Sequence, residues 1–295
     1  MTAPRRLWSG AAVQLGSLVS VNFGSAVAGL LIPTVGVVPV VAARQLVTVA
    51  TLAPFWRPRR AELGWRRLWP AVVLGLALLG MNLTFYVAVH LLGLGVAAVI
   101  EYLGPFALAV IGSRRLIDGL CAVAAAGGVV LLSEASGELN ALGLVCALLA
   151  AAFWAAYILF SRRVALGLPG LEGITVASIV TTVVSVPVAL ATIAWQSVTV
   201  SDWLRLLALG VLSSAVPYSL DTFVLRRLTP RVYGVVTAFG PAVAAVFGWL
   251  VLSESFTLAM IAGIALVIAS SAVAILSHRE PDSQAGAVAA EAGPA

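Results

Sequence analysis

The amino-acid sequence predicts an all-α integral membrane protein with ten transmembrane helices in two inverted five-helix repeats. Three observations carry that expectation. The 295 residues are 61% apolar and only 10% charged, with a mean hydropathy of +1.08. Soluble domains run nearer roughly 45–50% apolar and about 25% charged, so the bilayer must be the solvent here. Displacing the chain by 136 residues, without a gap, then brings Gly104, Pro105, Gly112 and Gly127 onto Gly240, Pro241, Gly248 and Gly263. Finally, all 17 basic residues are arginine, and they fall almost entirely on one side of a ten-helix serpentine.

A hydrocarbon core of about 30 Å needs roughly 20 apolar residues per helix. The repeat-aware helices are 11–31, 35–55, 69–90, 94–112, 117–133, 141–160, 174–194, 204–225, 232–252 and 257–276. Arg5 and Arg6 precede helix 1, and Arg57, Arg59, Arg60, Arg66 and Arg67 fill the 2–3 loop. Arg114 and Arg115 follow helix 4, Arg162 and Arg163 follow helix 6, Arg226, Arg227 and Arg231 surround the 8–9 loop, and Arg279 follows helix 10. The alternate loops carry Glu134, Glu138, Asp202 and Glu254, with only Arg205 against the trend. The positive-inside rule then makes both termini cytoplasmic. The net charge of +5 is therefore read as topology, not as nucleic-acid binding.

The repeats are assigned to 1–137 and 138–277, and the polar tail 278–295 to a disordered cytoplasmic segment. Five helices per repeat force the copies into opposite orientations. Arg114 and Arg115 face Glu254 across the repeat, and His90 and Leu91 face Arg226 and Arg227, as inversion requires.

Helix 1 begins like a signal peptide, but Gln14 and Asn22 interrupt its apolar run, and its loss would leave one repeat with four helices, so it is expected to be retained. Its Gly24 and Ala28 allow close backbone approach. Helix 2 carries Arg44 near its centre. Trp56, Trp65 and Trp69 mix with arginines as an interfacial belt, with Trp195 and Trp203 opposite. Asn82 and Tyr86 lie one turn apart on one face of helix 3. The letters Gly93 to Ala98 mimic a dinucleotide fingerprint, but no strand precedes them. Cys121 and Cys146 show no metal-ligand spacing and read as small core residues.

An ionisable side chain at the bilayer centre costs about 2.5–3.5 kcal/mol even on the lenient insertion scale. Arg44 and Glu101 lie deep, and Asp221 is about a turn from the cytoplasmic end of helix 8. Pro105 lacks an N–H, so the Glu101 carbonyl loses its helical partner, and carboxylate and carbonyl can both face a cavity. Glu101 therefore reads as a proton-coupling acid or as the partner of Arg44, and the two roles are compatible. Arg44 suits ion pairing or backbone capping as well as a substrate carboxylate. Asp221 suits a cytoplasmic gate, a partner of Arg226 or Arg227, or a substrate contact. Asn82, Tyr86, Tyr102 and Tyr218 are polar handles that together can line a cavity, and Pro105, Pro217 and Pro241 are the helix breakers. His90 and His278 are the sole histidines, and no catalytic, metal-binding or phosphate-cradling pattern exists. No enzyme, cofactor or metal is expected. A scaffold would need a soluble domain, and the longest loops run about a dozen residues.

The Gly-Pro repeat resembles the EamA-type transporters of the drug/metabolite transporter superfamily. Gly80-Met-Asn82-Leu-Thr-Phe-Tyr86, Glu101-Tyr-Leu-Gly-Pro105, Ser113-Arg-Arg115 with Asp118, and Pro217-Tyr218-Ser219-Leu220 look like the bacterial threonine/homoserine exporters. The resemblance spans nearly all of residues 7–277. It implies a multi-pass protein of the bacterial inner membrane that exports small metabolites, amino acids such as threonine or homoserine, in exchange for protons. It places the helix 4 acid at Glu101, the helix 3 asparagine at Asn82, the helix 2 arginine at Arg44 and the helix 8 acid at Asp221. The alternative is a drug or other metabolite exporter of the same superfamily. A wide aromatic cavity would favour that alternative, and a small one exposing Arg44 and Glu101 would favour an amino acid.

Overall fold

The computed structural model describes residues 3–55, 64–111, 115–135, 140–168, 171–217, 220, 228 and 230–277, among which no strand occurs. The helices are α1 (Ala3–Val35), α2 (Val37–Leu52), α3 (Trp65–Leu92), α4 (Leu94–Glu101), α5 (Leu103–Val110) and α6 (Leu116–Ala135). They continue with α7 (Ala141–Gly167), α8 (Glu172–Thr192), α9 (Val200–Gly210), α10 (Pro230–Thr237), α11 (Gly240–Leu252) and α12 (Leu258–Ser277). A five-residue π-turn, Val211–Ala215, extends α9. Among the described residues, seven spans are long and apolar enough to cross a membrane, one of them running through α10 and α11, and two shorter apolar helices cover Leu94–Leu108 and Leu116–Leu132. The protein is a multi-pass membrane protein.

Two expected helices are not continuous. The segment 94–112 breaks at Tyr102 and the segment 232–252 breaks at Ala238 and Phe239, positions related by the same 136-residue offset. The break precedes each proline instead of falling on it. Proline has no N–H to return to the carbonyl four residues back but is well tolerated in a first turn. The helix therefore stops near Glu101 and Thr237 and restarts with Pro105 or Pro241 inside the new first turn. Gly36 and Gly93, at φ 87° and 85°, supply the left-handed conformation that reverses the chain after α1 and α3.

Helix α3 packs along α7, α2 along α8, and α6 along α12, while α1 crosses α9, the π-turn and α11. Helix α4 sits between α7 and α11, and all eight of its residues are buried. Large apolar side chains such as Leu120, Val183, Trp249 and Ile261 point outward, which suits a lipid-facing surface. Without a hydrophobic force between helices in lipid, packing depends on small residues. A methyl on Gly75 would lie 2.6 Å from the Ala177 carbonyl oxygen, and one on Gly128 2.8 Å from that of Gly263. At one end of the bundle Arg163 stacks 5.4 Å over the Trp69 ring; past the far end of α8, Trp195 and Trp203 lie 6.3 Å apart. The expected tail 278–295 lies outside the described residues.

A methyl at Gly104 would run into the backbone carbonyl of Ala151, whereas one at Gly119 meets nothing within 4 Å. Gly104→Ala should therefore lower stability by about 1–3 kcal/mol, and Gly119→Ala should leave it unchanged or slightly raised. Thermal unfolding of the detergent-solubilised protein checks this; equal melting temperatures would contradict the close α5–α7 contact.

Candidate functional site

The centre of the molecule is organised by a carbonyl that a proline releases. Pro217 has no N–H to give to Ser213 four residues earlier, and the π-turn before it re-pairs Val216 with Val211. The freed oxygens are taken by other helices. Arg44 Nη2 donates to the Ser213 carbonyl at 3.3 Å, and Ser20 Oγ donates to the Leu212 carbonyl at 2.7 Å. Arg44 Nη1 donates to Asn82 Oδ1 at 2.9 Å and to the Tyr86 hydroxyl at 3.0 Å. Asn82 Nδ2 donates back to its own helix, to Leu78 at 2.7 Å, which leaves its carbonyl oxygen for the arginine. One guanidinium thus joins α2, α3 and the end of α9, and backbone capping is one of its contacts.

Glu101 closes α4 and is buried. Its carboxylate accepts no hydrogen bond from any described residue, and it is not in direct ion-pair contact with Arg44. The ion pair found between described residues is Arg205 with Asp202, at 3.4 Å. The Arg44 charge nevertheless acts on Glu101 through space. Keeping an acid at this depth, with no donor among the described residues, is costly for its charged form.

Beside Glu101 the chain opens a cavity of about 330 Å³, walled by Tyr102, Phe106, Trp154, Tyr157 and Tyr233, with Thr237 and Ser271 as smaller polar members. That volume lies at the low end of small-molecule sites, roughly 300–1,000 Å³. No charged residue among those described lines it. The Tyr102 ring stands edge-on to Trp154 with centroids 4.7 Å apart. A methyl on Gly240 would overlap the Tyr102 hydroxyl, so the glycine of the second Gly-Pro makes room for the tyrosine beside the first. Thr237, the positional equivalent of Glu101, accepts a hydrogen bond from Gln14 Nε2 at 3.3 Å.

The structure therefore brings Arg44, Asn82 and Tyr86 together, puts Glu101 near them without contact, and turns Tyr102 into the aromatic cavity. Pro105 and Pro241 start α5 and α11. Tyr218 and Asp221 lie outside the described residues. Trp154, Tyr157, Tyr233 and Ser213 were not expected. A turn separates Trp154 from Tyr157 and Tyr233 from Thr237, and Ser213 stands four residues before a proline; those spacings were the available signals.

An all-helical, multi-pass fold with two broken helices, a buried carboxylate and an adjoining cavity fits a membrane transporter. Residues 141–276 match the EamA-like transporter family. The threonine/homoserine exporter RhtA of Salmonella typhimurium strain LT2 is 34% identical over 280 residues, covering 93% of this chain and 94% of that protein. The exporter of the same name from Escherichia coli K12 is 30% identical over 282 residues, with coverage of 93% and 94%. A solved crystal structure at 21% identity shares the fold, with a TM-score of 0.64 over 92% of this chain and 99% of that one. The chain belongs to the EamA-like transporter family.

Removing the guanidinium leaves the Asn82 oxygen and the Ser213 carbonyl without their donor, and each lost hydrogen bond of this kind costs about 1–3 kcal/mol. Arg44→Gln should accordingly lower the melting temperature of the purified protein, and Arg44→Lys should recover only part of the loss, because an ammonium lacks the planar fork. Wild-type stability in both variants would contradict the three-helix contact.

Proposed function

We propose that this protein is a secondary active exporter of small metabolites, most directly amino acids such as threonine or homoserine, working by proton-coupled alternating access in the bacterial inner membrane. The observation that carries the reading is Glu101: a buried acid with no hydrogen-bond donor among the described residues, at the break between α4 and α5, one residue from the cavity. The relatives named threonine/homoserine exporters supply the substrate class.

In this reading α4 with α5 makes one membrane crossing, α10 with α11 another, and α9 continues through the π-turn, so that ten crossings form repeats 1–137 and 138–277. The packing supports it. Exchanging the repeats turns the α3–α7 contact into α9–α1 and the α5–α7 contact into α11–α1, and it maps α2–α8 and α6–α12 onto themselves; all of these contacts are present. The arginine-rich loops and both termini face the cytoplasm. Such repeats hold their substrate near the midplane between the halves.

The chemistry follows from competition for one carboxylate. An amino acid entering from the cytoplasm presents an ammonium group, which Glu101 and the ring faces of Trp154 and Tyr233 attract. Arg44 supplies the opposite charge for the substrate carboxylate. Asn82 and Tyr86 hold the guanidinium in place, and Tyr102 joins the acid to the cavity. After the halves rock outward, a proton from outside takes the carboxylate and displaces the substrate. Deprotonation on the cytoplasmic side readies the site again. Tyr218 and Asp221 belong to the cytoplasmic approach, with Asp221 as gate or as partner of Arg226 or Arg227.

One observation favours a second reading, export of larger apolar or cationic compounds: the cavity wall is aromatic and, among the described residues, uncharged. Efflux from proteoliposomes preloaded with threonine, homoserine and a panel of dyes decides. Amino-acid efflux should accelerate when the outer solution is made acidic, and Glu101→Gln should abolish that acceleration. Full pH-dependent efflux by Glu101→Gln would refute the coupling role, and movement of dyes alone would transfer the assignment to the second reading.

A further inference from the structure

The α11–α12 connection contains a carboxylate that the transport site does not use. Ser253 takes the left-handed conformation, φ 56°, and turns the chain so that the Glu254 N–H donates to the Gly248 carbonyl at 3.0 Å. The Glu254 side chain then reaches across to the other repeat. Its Oε1 accepts from the Leu94 N–H, and its Oε2 accepts from the Gly95 N–H at 3.1 Å. Those are two of the orphan donors that every helix start leaves unpaired. A carboxylate is the acceptor best matched to them, because the helix dipole favours negative charge there. The helix so capped is α4, whose opposite end is Glu101.

Space for this contact is made by glycines on both sides. A methyl on Gly93 would come within 2.9 Å of the Glu254 carboxyl, and one on Gly248 would overlap Oε2. The Phe256 ring closes the flank, 2.7 Å from where a Gly95 methyl would be. The contact is also built for release. Burial pushes the Glu254 carboxyl above the usual carboxylate range, although the Leu94 and Gly95 N–H groups pull it down; water would relieve that burial. An open groove of about 880 Å³ along α11 and α12, walled also by the outward-facing Trp249 and Ile261, includes Ser253, Glu254 and Phe256 in its wall, so no other helix covers the connection on that side. Asp118, at the equivalent position of the first repeat, is likewise a buried acid, and it accepts from Ser277 Oγ at 3.2 Å.

We propose that Glu254 is a positioning residue of the transport cycle: held on the start of α4 it seals the outer end of the path and fixes the half-helix that carries Glu101, and its release lets α4 move. The proposal rests on the alternating-access reading and on the topology that puts this loop outside.

The test uses the full chain in proteoliposomes, with Cys121 and Cys146 replaced by alanine and Ala98→Cys on α4 as reporter. A membrane-impermeant maleimide is added from outside. Glu254→Ala should raise the labelling rate about tenfold, as expected for loss of one charge-assisted hydrogen bond or more. Gly248→Ala, which keeps the acid but occupies its place, should raise it similarly, and Glu254→Asp should restore much of the protection. Unchanged labelling in Glu254→Ala and Gly248→Ala overturns the proposal. If Glu254→Ala does not fold, Gly248→Ala against Glu254→Asp decides by the same readout. Labelling is independent of the substrate, so a labelling change in a protein that exports no amino acid would leave the latch standing and remove the substrate assignment.

Discussion

In lipid every backbone carbonyl must find a donor inside the protein, and proline is the residue that leaves one waiting. Three prolines here stand four residues after Glu101, Ser213 and Thr237, and the centre of the molecule is built around those positions. At Ser213 the released oxygen receives Arg44, drawing α2 and α3 onto the end of α9. At Glu101 and Thr237 the helices stop and restart, leaving loosened backbone beside the aromatic cavity that Tyr102 and Thr237 line. A helix without these breaks would satisfy itself completely and have nothing to offer a substrate.

The ionisable groups at depth differ in the partners they have. Arg44 has oxygen acceptors on α3 and at the π-turn, and it provides a fixed positive charge. Glu101 faces that charge without touching it and has no donor from the described residues. The difference matters because a saturated carboxylate would be a structural brace, whereas an open one can exchange a proton or an ammonium group when its hydration changes. Glu254 shows a third arrangement, a carboxylate held by the backbone N–H groups of Leu94 and Gly95.

Much of the framework was legible because composition and repeats record it directly. Apolar runs of membrane length marked the helices, and the Gly-Pro pair marked the broken ones. The break itself lay a few residues earlier than the prolines suggested, since a proline fits a first turn better than it ends a helix. Arg44, Asn82 and Tyr86 stood out individually as polar groups in apolar helices, but their meeting did not, because it depends on tertiary distance. Trp154, Tyr157 and Tyr233 were invisible, as aromatic residues on an apolar helix look like core. Glu254 was read only as the charge of an outer loop. Its partners are the N–H groups of Leu94 and Gly95, which leave no trace in side-chain identity.

The central claim is that the two halves rock about the broken helices, so that the aromatic cavity opens on one side at a time. The most direct measurement is the distance distribution between spin labels at Ile158 on α7 and Ile275 on α12, both in the cavity wall, in nanodiscs with and without threonine and across a range of pH. The account predicts two populations whose weights shift with substrate and with protonation. A single distance, unmoved by either, would contradict it.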